Sequence, residues 1–234
     1  MSEPALSRRE RNRRDTVSEI KERALNQIAL GGLTALSLNA IAKEMGMSAA
    51  ALYRYFDSRD DLIVELVIEA YRDLADTMEA AAEASRRRPA AARFRAVTDG
   101  YRHWAIEQPH RYRLAFLSSV GSGLLDPARI IPATQRSMAV ILDLLAALHV
   151  GGDSNVVPAS LDAQLQAWHR RSGAPALSSS VLYRGIACWT RLHGVLSLEL
   201  EGQLGATTID PALIYRAEVE ALMDEESSPV VSKA

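Results

Sequence analysis

Apolar residues recur every three or four positions along most of the chain, and no segment shows the alternation typical of a strand. This spacing predicts a first helix that ends at Gly31-Gly32. It then predicts two short helices within Ser37–Arg59, the stretch SLNAIAKEMGMSAAALYRYFDSR. Ser37 and Ser48 are suited to cap these two helices, and Gly46 is suited to the left-handed residue that ends the first of them. The three helices together predict a compact N-terminal unit.

The same periodicity continues to the end of the chain. A long helix is predicted from about Asp60 into the alanine-rich 80s, and Arg86-Arg87-Arg88-Pro89 ends it. Further helices are predicted at 90–107, from Pro109, at Asp126-Pro127 as an N-cap and first-turn pair, after Pro132, around 161–168, at 178–201 and at 211–223. The sequence therefore predicts an all-α protein, in which an N-terminal three-helix helix-turn-helix domain is linked to a larger C-terminal helical domain.

The predicted boundaries follow from local signals. Thr16-x-x-Glu19 has the form of a capping box, which would open the first helix and leave a disordered basic arm before it. That arm is either a solvated tail or a segment that reaches into the DNA minor groove. The predicted divisions are the arm at 1–15, the helix-turn-helix domain at 16–62, the C-terminal domain at 63–224 and a disordered tail at 225–234.

The two short helices also suggest a chemistry. Neither first turn, Leu38-Asn39-Ala40 or Ala49-Ala50-Ala51, carries the acidic residue that a helix dipole favours. Serine hydroxyls and backbone amides without a nearby acid suit a phosphate group. Tyr53, Tyr55 and Arg59 would add donors for phosphate oxygens. An ordinary helical hairpin with a polar face is the alternative for each residue taken alone, but the combined pattern indicates DNA binding.

The stretch LSLNAIAKEMGMSAAALYRYFDSRDDL closely resembles the DNA-binding domain of the TetR family of bacterial repressors, whose pattern is like "T..IA...GVS...LY.HF.SK..L". The chain has Tyr55 where histidine is usual and Arg59 where lysine is usual. The resemblance, from about Thr16 to Leu74, implies a homodimer, a helical ligand domain and release of DNA when ligand binds. The family pattern implies that Asn39, Ala49 and Ala50 face bases. It also implies a second set of residues that face phosphates: Ser37, Ser48, Tyr53, Tyr55 and Arg59.

The C-terminal half carries a second resemblance. Trp189-x-x-x-His193-Gly194, which contains a Leu-His-Gly sequence on the penultimate predicted helix, resembles one group of TetR C-terminal domains. In that group the last two long helices of each subunit pair in a dimer, which places the interface on 178–201 and 211–223. The strongly apolar character of 178–201 agrees with an interface. Burial within one subunit is the alternative.

A ligand pocket is expected in the C-terminal domain. Its candidate walls are the large apolar residues of that domain, each of which could instead be ordinary core: Tyr101, Trp104, Phe116, Met138, Ile141, Trp168 and Trp189. Few charges interrupt the apolar stripes, so a small, largely hydrophobic effector is expected. No cofactor or metal is expected, because the histidines are scattered without ligand spacing and no glycine-rich phosphate loop is present.

Composition narrows the class of protein further. Residues 1–59 hold ten Lys and Arg against seven Asp and Glu, whereas the remainder holds 17 against 22, so the N-terminal part is the better partner for a polyanion. A single cysteine, Cys188, and the lack of a signal peptide or membrane-length apolar run favour a cytoplasmic protein. An enzyme is disfavoured, since Cys188 and His193 do not share a helix face. The sequence does not separate a repressor from an activator or a protein-gated regulator.

Overall fold

The structure is a computed structural model that describes residues 7–117, 127–148 and 157–224. These residues contain ten α-helices and no strand, so the all-α prediction is confirmed. The α-helices are α1 Arg8–Gly31, α2 Leu38–Glu44, α3 Ala49–Leu52, α4 Arg59–Ala84, α5 Ala90–Glu107, α6 Pro109–Tyr112, α7 Pro127–Leu148, α8 Ala159–Arg170, α9 Ser179–Leu200 and α10 Pro211–Asp224. A π-helical turn, Arg113–Leu117, follows α6, and 3₁₀ turns occupy Leu33–Ala35 and Gly205–Thr207.

Contacts divide the chain into two units. Among the described residues, the first consists of 7–70 together with 110–117, and the second consists of 71–109, 127–148 and 157–224. The predicted boundary at residues 62 and 63 falls near the start of α4, and the contacts divide further along that helix. Helix α4 therefore contributes its N-terminal half to one unit and its C-terminal half to the other.

The first unit is organised around the apolar stripe of α1. Ile20 and Ala24 are fully buried, as are Ile41 of α2 and Leu52 of α3. Gly46, which follows the C-cap residue Met45 of α2, has a φ of +66°, which an L side chain rarely adopts. This glycine turns the chain from α2 into α3, so the predicted glycine turn is confirmed.

The second unit is built around α9, which packs against α5, α7, α8 and α10. Gly185 allows the close approach of α7, because a Cβ atom there would lie 2.5 Å from Leu142 Cδ2. On the same helix the Arg184 side chain is 1% exposed, and its Nη2 donates a hydrogen bond of 2.8 Å to the carbonyl of Leu222 in α10. These contacts fix α9 between its neighbours.

The predicted disorder of residues 8–15 is wrong. Helix α1 begins at Arg8, where Ser7 and Glu10 form a reciprocal capping box. Thr16 lies in the helix interior, and its hydroxyl donates to the carbonyl of Asn12 at 2.8 Å. Arginine is a good helix former, so once Ser7 supplies a cap the basic segment continues the helix. The predictions for residues 1–6 and 225–234 lie outside the described residues.

Helix α7 begins at Pro127, as the predicted first-turn proline indicates, but it continues through Pro132 as one helix instead of starting again after it. Its segment Ala128–Leu148 is long and apolar enough to cross a membrane. We assign it instead to the core of the second unit, because Leu144 and Leu145 are buried against neighbouring helices and Arg136 forms ion pairs with Asp76 and Glu79 of α4.

Candidate nucleic-acid interface

The starts of α2 and α3 are capped as the sequence predicts. Ser37 Oγ accepts the backbone N–H of Ala40 at 3.3 Å, and Ser48 Oγ accepts that of Ala51 at 3.2 Å. Neither first turn contains an acidic residue. Each helix start therefore presents a serine hydroxyl and the positive end of a helix dipole without a neighbouring negative charge.

The lack of acids is less distinctive than the sequence suggested. The first turns of α5, α9 and α10 also lack acids, and Ser178 caps α9 in the same way. An acid-free helix start is therefore common in this chain. The feature that separates α2 and α3 is the combination of their short turn with exposed side chains at both starts.

Exposure supports most of the predicted contact residues. Asn39, Ala49 and Ala50, predicted to face bases, are all exposed. Ser48, a predicted phosphate contact, is exposed, and Tyr53 has 45% of its surface exposed to solvent. The other two serine and tyrosine positions, Ser37 and Tyr55, are half-buried.

Arg59, a predicted phosphate contact, also has partners within the first unit that the sequence does not predict. Its Nε donates to the carbonyl of Leu36 at 3.1 Å, and its Nη2 donates to the carbonyl of Leu33. Its Nη1 lies 3.6 Å from Asp60 Oδ1. These contacts hold the turn that precedes α2, so they favour a residue that positions the interface over one that binds a phosphate.

Gln27 is a second positioning residue, and the sequence pattern does not predict it. Its Oε1 accepts the backbone N–H of Ser37 at 2.9 Å, which fixes the residue that caps α2. Its Nε2 lies 3.4 Å from Glu44 Oε1 at the other end of the same helix. A polar residue on an amphipathic helix carries no signal that it will bond to a distant cap, so periodicity could not have identified it.

Arg13 brings the N-terminal end of α1 to the same surface. Its guanidinium carbon lies 5.1 Å from the centroid of the Tyr55 ring, within the range of a cation–π contact. The sequence predicts a disordered arm at Arg13 and therefore no partner for this side chain.

The seven predicted ligand walls are dispersed among several helices. Tyr101, Trp104 and Ile141 are buried, and Met138 and Trp168 are half-buried in the second unit. Phe116 belongs to the first unit, where its ring lies 5.0 Å from that of Tyr112. Trp189 is 43% exposed and stacks on His193 at 5.7 Å, so it faces outward in the described chain.

The second unit contains an open cleft of about 590 Å³ between α5 and α10. Its described lining includes none of the seven predicted ligand residues. Arg95 and Glu220 form a two-bond ion pair across it, with distances of 2.7 and 2.5 Å. Hydrogen bonding with Arg95 lowers the pKa of the Glu220 carboxyl, so this pair remains charged near neutral pH.

Burial shifts the pKa values of two polar side chains of α9. Burial raises the pKa of the Cys188 thiol to about 12, so the thiolate that a nucleophile requires is scarce at neutral pH. Burial also lowers the pKa of His193. Within 7–117, 127–148 and 157–224, no three His, Cys, Asp or Glu residues are grouped so that they could hold a metal ion.

Comparison with known proteins decides the family. Residues 20–66 match the bacterial regulatory proteins of the tetR family, and residues 94–222 match the tetracyclin repressor-like C-terminal domain. The chain belongs to the TetR family. Regulators of this family bind DNA, generally respond to ligands, form dimers and are typically soluble cytoplasmic proteins.

Relatives of this TetR regulator share its full architecture. The HTH-type transcriptional regulator Rv1816 of Mycobacterium tuberculosis is 30% identical over 223 residues, which cover 93% of this chain and 95% of the relative. The crystal structure of the protein SCO4313 is 43% identical, covers 92% of this chain and 98% of that chain, and has a TM-score of 0.76. The TetR family regulator PfmR of Thermus thermophilus shares the fold at 16% identity, with coverages of 89% and 99% and a TM-score of 0.57.

These comparisons confirm the predicted family and its DNA-binding helix-turn-helix. The matched families and the named relatives are transcriptional regulators rather than enzymes.

Proposed function

We propose that this TetR regulator is a repressor that binds a near-palindromic operator as a dimer and leaves it when a small, largely apolar ligand binds. The observation that carries the proposal is the pair of serine-capped helix starts of α2 and α3, which expose Asn39, Ala49 and Ala50. In a dimer, the two DNA-reading helices would lie about 34–36 Å apart, which is the length of one turn of DNA. An activator, or a regulator gated by a protein, would use the same DNA-binding surface.

In this proposal few bases are read by hydrogen bonds. Asn39 is placed to pair with an adenine edge, whereas Ala49 and Ala50 offer only methyl contact, for instance to thymine. Ser37, Ser48, Tyr53 and Tyr55 would contact phosphates, and Arg59 and Gln27 would hold the start of α2. Specificity would then depend strongly on the shape and deformability of the operator.

The phosphate assignment predicts a uniform loss of affinity for Tyr53→Phe. Each Tyr53 hydroxyl would donate to an anionic phosphate, so losing this bond at both half-sites should weaken binding of the dimer by at least tenfold, equally on promoter DNA and on random duplex. Titrations by fluorescence anisotropy at several salt concentrations would measure it, with Tyr183→Phe in α9 as the matched control. A change in which operator is preferred would contradict the assignment, and a wild-type protein without salt-dependent affinity for its own promoter region would contradict the function.

The proposed dimer interface lies on the outer faces of α9 and α10. Leu198 is 41% exposed and Leu213 is 57% exposed. A Cβ atom at Gly194 would meet no described atom within 4 Å, so another backbone could approach closely there. We infer that Leu192-His193-Gly194 places this domain in the group with the Leu-His-Gly signature, in which these two helices pair between subunits.

Leu198→Lys is therefore expected to dissociate the dimer without unfolding it. A lysine placed on each side of the interface would be desolvated without a partner, and should weaken association by at least tenfold. Analytical ultracentrifugation over a concentration series would measure the change. Leu30→Lys is the matched control, since Leu30 is 92% exposed at the end of α1. An unchanged dimer in Leu198→Lys would contradict this interface.

We place the ligand among α5, α7 and α8, where Tyr101, Trp104, Met138, Ile141 and Trp168 are buried or half-buried. Phe116 and Trp189 are weaker candidates, because one belongs to the first unit and the other faces outward. The scarcity of charge on these apolar stripes supports an apolar ligand. Thermal stabilisation by a metabolite panel, with and without operator DNA, would separate a ligand-gated repressor from a protein-gated regulator.

Helix α4 would carry the response, because it belongs to both units. Trp104 Nε1 of α5 donates to Asp73 Oδ2 at 2.8 Å, and Arg136 of α7 bonds to Glu79 at 2.9 and 2.6 Å and to Asp76 at 2.7 Å. Both sets of hydrogen bonds attach a neighbouring helix to the C-terminal half of α4. A ligand that moves α5 or α7 would displace α4 and shift the dimer away from the DNA-binding arrangement. Because the coupling is reciprocal, bound DNA would lower the affinity of the protein for the ligand.

A further inference from the structure

The first two turns of α1 are a strongly basic helix. Arg8–Arg14 contains five arginines and one acid, Glu10. Glu10 is committed to the capping box, since its carboxylate accepts the backbone N–H of Ser7 at 2.8 Å, and its hydrogen bonds with Ser7 lower its pKa. The segment therefore keeps both its helical form and its net positive charge at neutral pH.

Only two of the five arginines share the face that α1 turns to the helix-turn-helix. Arg13 and Arg9 precede the buried Ile20 by seven and eleven residues, which is close to two and three helical turns. Arg13 reaches the Tyr55 ring near the end of α3, and Arg9 continues the same face one turn further outward. Arg8 and Arg11 project from other faces of the helix.

We propose that these two turns form a rigid helical arm that binds DNA phosphates beside α3 through Arg9 and Arg13. The proposal rests on the DNA-binding function proposed above and extends its contact surface. Charge complementarity and continuity with Tyr55, itself a predicted phosphate contact, identify the partner as the same duplex that α3 reads.

Dimensions decide how the arm binds. An α-helix with side chains is about 10–12 Å wide, whereas the minor groove of DNA is about 6 Å wide. A helical arm cannot enter the minor groove as an extended basic arm does, and the major groove would hold α3, the second helix of the helix-turn-helix. The arginines of the arm therefore contact the phosphate backbone, which adds affinity without adding sequence preference.

The test compares arginines on different faces of the same helix. R9Q and R13Q should each remove one phosphate contact per half-site, which lowers the salt slope of log K by about 2 and the affinity of the dimer by roughly 50-fold at 0.1 M salt. R8Q makes the same change in charge one residue away and should lower both by less than half as much. The measurement is operator binding by anisotropy at five salt concentrations.

A second variant tests the rigidity of the arm. Asn12→Pro keeps all five arginines but breaks the helix between Arg9 and Arg13, so operator affinity should fall as it does in R9Q. Circular dichroism and thermal unfolding would show that the rest of the fold is retained. Full affinity in Asn12→Pro would overturn the rigid arm.

Equal effects of R9Q, R13Q and R8Q on a wild-type protein that binds its operator would overturn the arm alone. A wild-type protein that binds no promoter DNA would overturn the arm together with the proposed function. The two failures are therefore distinguishable in one experiment.

Discussion

Replacing Ala50 by glutamate is expected to lower operator affinity by about 1,000-fold while leaving the folded protein equally stable. Ala50 is exposed and is the second residue of α3, directly after the Ser48 cap and Ala49. An acid at that position interacts favourably with the helix dipole, by about 0.3–1 kcal/mol. The free energy of unfolding should therefore stay constant or rise slightly.

The same carboxylate would face the phosphates that this helix start is proposed to receive. Like charges across an interface cost several kcal/mol, and a dimer carries the change at both half-sites. About 2 kcal/mol at each half-site gives the 1,000-fold loss. Affinity for random duplex should fall as well, because the repulsion does not depend on sequence.

Ala91→Glu provides the matched control, since α5 also begins with an acid-free alanine turn. It lies in the second unit and should leave DNA affinity unchanged. Anisotropy titrations and thermal unfolding of both variants would measure the two effects. Unchanged affinity in Ala50→Glu would remove α3 from the interface, and a marked loss of stability would show that the substitution acts on folding instead.

Replacing Arg184 by alanine is expected to lower the free energy of unfolding by about 3 kcal/mol. The side chain is 1% exposed in α9, and its guanidinium donates to the Leu222 carbonyl in the last turn of α10. Its removal leaves a cavity and takes a cation away from the negative end of a helix dipole. For a chain of this size, the melting temperature should fall by about 10 °C.

Arg184→Met would separate packing from hydrogen bonding, because methionine keeps much of the volume but cannot donate. We expect it to lose about half as much stability as the alanine variant. Arg216→Ala, an exposed arginine of α10, should change stability by less than about 0.5 kcal/mol. Calorimetry at one fixed protein concentration is required, since dimer stability depends on concentration. An equally small effect at Arg184 would show that its burial does not hold α9 to α10.

The local features of the helix-turn-helix could be predicted because each has a local cause. Ser37 and Ser48 cap helices through residues three positions away, and Gly46 adopts a positive φ that few other residues tolerate. The ends of α9 and α10 likewise follow from periodicity and capping within each segment.

The predictions that failed depended on competition or on distance. Thr16-x-x-Glu19 has the form of a capping box, but Ser7 and Glu10 form an equivalent one nearer the N-terminus. The helix therefore begins at Arg8 rather than near Thr16. The phosphate assignment of Arg59 stays a prediction, but the family pattern gave no sign of the carbonyls, more than 20 residues away, that accept its hydrogen bonds. No local rule indicates which of two possible partners a long side chain will reach.

The amino-acid sequence by itself determined an all-α TetR regulator with a helix-turn-helix near its N-terminus. Periodicity, caps and glycine turns act over a few residues, so they can be recognised along the chain. Only the tertiary structure decided that Gln27 and Arg59 fix the start of α2 and that Arg13 lies on Tyr55. It also decided that Trp104 and Arg136 form hydrogen bonds with α4. Each of these contacts joins residues that are at least ten positions apart, and their partners are set by how the helices pack rather than by any pattern within one segment.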